Sequence, residues 1–100
     1  MSKDARPCIN RGDIVRHFKR EMIVNPGTEY LYQILEFAIH SENNERYVVY
    51  KALYGTGLVY VRPYDMFMSE VDHIKYPDIV QKWRFDKASP RECSLVSETE

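Results

Sequence analysis

Arg62 is the side chain of this sequence best suited to hold a ligand, because its planar fork of five N–H donors fits a carboxylate, a phosphate or a base edge in fixed geometry. It ends the run Leu58-Val59-Tyr60-Val61-Arg62, directly before Pro63, where exposed N–H groups of a helical turn can help an arginine hold an anion. Arg16, His17, His40, Glu42, Tyr50 and Tyr54 are the other polar residues within or beside apolar runs, and with Arg62 they form the candidate ligand-binding set. Tyrosine rings can stack on a flat ligand while an arginine and a histidine contact its polar or charged edge.

The same residues also have a structural use. Arg62 would then pair with Glu42 or Asp65, the histidines would bond to backbone, and the tyrosines would wall the core with their hydroxyls outward. Catalysis is disfavoured. Ser41 follows His40, but adjacent strand residues point to opposite faces, and no strained elbow surrounds the serine. A metal would have to draw on His17, His40, Glu42 and His73, none at HExxH spacing, so no metal site, catalytic residue or cofactor is assigned.

The elements that position these residues are short. Asp13–Phe18 alternates in the manner of a strand, and Asn25-Pro26-Gly27 makes a turn in which proline fixes φ and glycine accepts a positive φ. Tyr30–His40 is apolar on both faces, with Leu31, Leu35, Phe37 and Ile39 on one and Tyr32, Ile34, Ala38 and His40 on the other. Asn43-Asn44 marks a hairpin into a third strand, Arg46–Tyr54; Gly55-Thr56-Gly57 leads to a fourth, Leu58–Arg62. Pro63 ends the ladder and opens a short helical turn, Tyr64–Ser69. Alternation of Trp83 and Phe85 against Lys82 and Arg84 gives a closing strand, with a turn of helix over Ile79–Arg84 as the alternative.

These elements predict an all-β, mainly antiparallel domain: a small SH3-like barrel with one short helical turn before the last strand. Residues 1–10 read as a flexible segment, 11–87 as the single domain and 88–100 as a disordered tail. Net charge is −1, from 14 basic and 15 acidic side chains, so bulk nucleic-acid binding is not favoured. The opening MSKDARPCIN lacks the apolar core of a signal peptide and no run reaches a membrane span. Cys8 and Cys93 lie in the polar end segments outside any CxxC motif, which suits a reducing compartment. A cytoplasmic location is expected.

Gly12-Asp13-Ile14-Val15-Arg16-His17-Phe18-Lys19, His40-Ser41-Glu42, Val48-Val49-Tyr50 with Ala52-Leu53-Tyr54-Gly55, and Val61-Arg62-Pro63 with Met66-Phe67 together resemble the domain-of-unknown-function family 1653. The likeness spans residues 12–71. The chain departs from that pattern at Tyr60, where Trp is usual, at Glu36, where Gly is usual, and in its longer Glu21–Glu29 connection. The resemblance implies a small β fold and assigns no catalytic residue, cofactor or substrate.

The resulting expectation is a non-catalytic recognition module for a nucleobase-like or anionic small ligand. The alternative is a protein interaction module using Tyr47, Tyr54, Tyr60 and Tyr64. A small hydrolase is the remote third. The sequence does not fix the oligomeric state.

Overall fold

The computed structural model describes residues 6–98, so part of the expected N-terminal segment lies outside the described residues. Strand β1 is Ile14–His17, β2 Leu31–Ile39, β3 Arg46–Ala52, β4 Val59–Pro63 and β5 Phe85–Lys87; helix α1 is Tyr64–Phe67 and α2 Pro90–Glu98. A 3-10 turn at Phe18–Met22 follows β1. The strands form one antiparallel sheet in the order β4-β3-β2-β1-β5. The expected antiparallel β fold, with one short helix before the last strand, is therefore what the chain adopts. The sheet is not a closed barrel, because β4 and β5 are its two edges and do not pair.

The edges meet through side chains instead. Phe67 of α1 stacks on Phe85 of β5 with ring centroids 3.9 Å apart and planes 3° from parallel. Both are fully buried beside Val15, Tyr32, Ile34, Val48 and Tyr50. Registers Val15↔Tyr32, Ile34↔Tyr50, Tyr50↔Tyr60, Val48↔Arg62 and His17↔Phe85 put all of these residues on one face. The curled sheet thus gathers its aromatic residues, and the ends of β1 and β4, around one core.

Several local expectations are corrected. β2 bulges between Ile34 and Glu36, and the extra residue moves Phe37 opposite Val48, onto the face of Tyr32 and Ile34. Strict alternation had placed Phe37 on the other face. The positive φ of the Asn25-Pro26-Gly27 turn is at Asn25, φ 51°, rather than at Gly27. Residues 79–84 hold neither helix nor regular strand. Trp83 makes an isolated antiparallel bridge with Glu70, and the backbone bonds Val71 N–H to Lys82 O and Arg84 N–H to Ser69 O flank it, so the last strand starts only at Phe85.

The expected disordered tail at 88–100 is also corrected. Ser89 Oγ accepts from the Glu92 N–H at 3.2 Å, while Glu92 Oε1 accepts from the Ser89 N–H at 2.9 Å. This reciprocal capping box, with Pro90 as the first helical residue, starts α2. At the other end of the chain Ile9 is buried in the core, so the ordered domain begins before residue 11.

Candidate anion-binding site

A cleft of about 330 Å³ opens at the end of β1, lined by His17, Phe18, Lys19, Arg62, Asp72, Lys75, Tyr76 and Arg84. Three parts of the chain build it. β1 and the 3-10 turn supply His17, Phe18 and Lys19, β4 supplies Arg62, and the excursion between α1 and β5 supplies the rest. Glu21 fixes that excursion, because its carboxylate accepts from the Val80 and Gln81 N–H groups at 2.9 and 2.8 Å. Gln81 holds it again by donating to Arg16 O and Trp83 O. Tyr76 packs edge-on against Phe18, centroids 4.9 Å apart.

The two arginines are held in the same way. Arg62 Nε donates to the Tyr50 hydroxyl at 3.2 Å, and Arg84 Nε donates to Ser69 Oγ at 3.1 Å. Each guanidinium is anchored by a neutral hydroxyl, and neither forms an ion pair among the described residues. The pairings of Arg62 with Glu42 or Asp65 do not occur. Arg62 also lies over the Phe85 ring at 5.9 Å. Burial, followed by the positive charge of nearby Arg62, lowers the Arg84 pKa.

His17 completes the wall. It is 8% exposed, with its ring against Phe18, Tyr30 and Phe85. Burial, followed by the charges of Arg62, Arg84 and Lys19, pushes its pKa down to about 3. The ring is therefore neutral, and since Nδ1 accepts from the Lys19 N–H at 3.1 Å, its proton is on Nε2. No side-chain nitrogen or oxygen is both buried and unpartnered among the described residues, so this Nε2–H, which has no protein acceptor, keeps access to the cleft. Tyr30, beside His17, adopts φ 62°, a left-handed conformation unusual for a bulky residue and costing of order 1–3 kcal/mol.

The structure brings together three members of the candidate set, Arg62, Tyr50 and His17, and leaves the others elsewhere. Arg16 bridges Glu92 at 3.1 Å and Gln81 at 3.0 Å. His40 and Glu42 are exposed at the β2–β3 hairpin, where His40 Nδ1 accepts from the Glu42 N–H at 3.2 Å. Tyr54 shares a 2.8 Å hydrogen bond with the Tyr32 hydroxyl, and burial pushes the Tyr32 phenol pKa up. Sequence reasoning missed Arg84, Lys19, Lys75 and Tyr76. The one local signal was that Arg84 lies between two aromatics that both proved buried, Trp83 and Phe85.

A larger cleft, about 540 Å³, lies beside α2 and includes Arg16, Arg20 and Glu92. Two of its cations, Arg16 and Arg20, already share the Glu92 carboxylate, at 3.1 and 2.6 Å, and Glu21 also lines it, so it offers an anion less. Among the described residues no group of three His, Cys, Asp or Glu is gathered as a metal would need, and no helix is long and apolar enough to cross a membrane.

No curated protein and no solved structure matches this sequence. A family model does match, over residues 13–87, a span that contains every element from β1 to β5 and the whole Arg62–Arg84 cleft. The chain belongs to the family described as protein of unknown function (DUF1653).

Proposed function

We propose that this domain is a non-catalytic recognition module for a small anionic ligand, bound in the cleft between Arg62 and Arg84. The observation that carries this reading is the anchoring of both guanidiniums through Nε by hydroxyl groups, which leaves their outer N–H groups without an acidic partner among the described residues. Arg20, which serves the fold, is by contrast paired with Glu92. Two like charges held together cost stability unless a third group of opposite charge arrives. An anion supplies it.

Calorimetric titration of the protein with inorganic phosphate, citrate and a nucleotide panel tests the reading. Binding that weakens with added salt and disappears in Arg84→Gln supports it. Equal binding by wild type and Arg84→Gln would place the ligand elsewhere.

The alternative, a protein partner, is favoured by a different surface. The four tyrosines Tyr47, Tyr54, Tyr60 and Tyr64 do not form one patch, since Tyr60 opposes Tyr50 on the core face while Tyr47 follows the outer face. Edge strand β4 instead exposes Val59 and Val61, with Leu58 exposed just before it, where a partner strand would pair. Val61→Lys should abolish such an association in sedimentation analysis while leaving anion binding intact. Unchanged association would exclude the edge.

A further inference from the structure

We propose that the ligand of this cleft carries a phosphomonoester, its phosphate held jointly by the outer N–H groups of Arg62 and Arg84 with the His17 Nε2–H as a third donor. The proposal rests on the anion-site reading above and narrows it to one chemistry.

Charge is the first reason. Lys19, Arg62, Lys75 and Arg84 line the cleft against one carboxylate, Asp72, leaving three positive charges in excess. Asp72 is itself engaged, because its Oδ1 accepts from the Ile74 and Lys75 N–H groups at 3.1 and 3.2 Å. A monocarboxylate would neutralise one of these charges, whereas a phosphomonoester carries about two at neutral pH.

Donor geometry is the second. A carboxylate has two oxygens and a single charge, so two arginines would have to share it, as Arg16 and Arg20 share Glu92 Oε2. A phosphomonoester has three terminal oxygens. It can accept from both forks and still meet the His17 N–H. That group belongs to a residue more than nine-tenths buried in the cleft wall, is not itself fully buried, and has no acceptor among the described residues.

Size is the third. About 330 Å³ is at the lower end of small-molecule sites, roughly 300–1,000 Å³. It leaves room for a compact organic group beyond the phosphate, and the half-buried Tyr76 ring forms part of that remainder.

The pH dependence of binding separates this chemistry from other anions. The groups acting on His17 are Arg62 from β4, Arg84 from the segment before β5 and Lys19 from the 3-10 turn, with the Phe18, Tyr30 and Phe85 rings against it. Asp72, Lys75 and Tyr76 close the cleft from the loop. In the ligand-free protein His17 is neutral down to about pH 3, so between pH 5 and 7 an arriving ligand meets an uncharged ring.

The probes are ribose 5-phosphate and 5′-AMP, compared with sulfate, a tetrahedral dianion throughout this range, and with acetate. Affinity for the phosphomonoesters should rise about tenfold from pH 5 to 7 as their second proton, of pKa about 6, leaves. Sulfate affinity should stay flat and acetate should bind at least tenfold more weakly. In ³¹P NMR the bound phosphate should titrate at lower pH than the free one. An unshifted ³¹P titration, or acetate binding as tightly as the phosphomonoesters, overturns the phosphomonoester assignment. If acetate binds and Arg84→Gln abolishes it, the anion site stands without the phosphate. If none of the four anions binds wild type, both readings fail.

Discussion

Glu92 Oε2 accepts a hydrogen bond from Arg20 Nε at 2.6 Å, joining two buried side chains 72 positions apart. Arg16 reaches the same oxygen at 3.1 Å, and Arg20 also donates to Glu29 O at 2.7 Å. A single carboxylate thus ties α2 to β1 and the 3-10 turn. Through the Arg16–Gln81 hydrogen bond of 3.0 Å, it is connected to the loop that walls the anion cleft.

Removing residues 88–100 should therefore destabilise the domain, by about 3–5 kcal/mol, the usual cost of leaving a buried charge without its partner. Glu92→Gln should lose a similar amount. Urea denaturation measures both. A midpoint unchanged on truncation would show that α2 adds nothing to the fold.

That helix was partly legible. Ser89-Pro90-Arg91-Glu92 is a capping-box signature with proline at the first helical position. The Ser- and Glu-rich composition after it argued for disorder, and a contact with Arg20, so distant in sequence, leaves no local trace. The strands were readable because alternation and turn residues are local properties: Asn44 takes its positive φ of 62° where the hairpin needs it. The bulge at Leu35 was not, since it depends on how β2 registers against β3. Arg84 escaped for the same kind of reason, because it meets Arg62 only where the curled sheet brings its two edges together.

Stability should fall on acidification in two stages. The folded His17 pKa of about 3 lies below the ordinary 6.5, so the unfolded chain takes up a proton that the native state refuses. The stability this provides is complete above about pH 6.5 and declines toward pH 3, by up to about 1.4 kcal/mol per pH unit. Glu92 is also depressed, below 4.5, by its Ser89 N–H bond and the two arginines acting against burial. Its contribution is full above that value and is lost only at lower pH. Urea midpoints from pH 7 down to about pH 3 follow both. His17→Gln should flatten the upper stage alone, and a slope unchanged in that variant would rule out a buried neutral His17.

Tyr50 should act as a positioning residue. Tyr50→Phe removes the acceptor for Arg62 Nε and keeps the ring that packs on Phe67 and Phe85. Phosphate affinity should fall several-fold while stability changes by about 1 kcal/mol or less, the net value of one hydrogen bond. Calorimetry and denaturation on the same sample check this. Stability lost with affinity intact would make the contact purely structural.

The most direct test of the account is the stability of Arg62→Ala measured with and without phosphate. A structural arginine and a ligand-binding one make opposite forecasts. Without ligand, the variant should unfold within about 1 kcal/mol of wild type, or later, since Arg84 loses a repelling neighbour. Phosphate at 100 times its Kd should add about 2.7 kcal/mol to wild type and nothing to the variant. A loss of 3–5 kcal/mol in the ligand-free variant, the cost of breaking a buried pair, or an equal phosphate shift in both proteins, would contradict the assignment of Arg62 to an anion site.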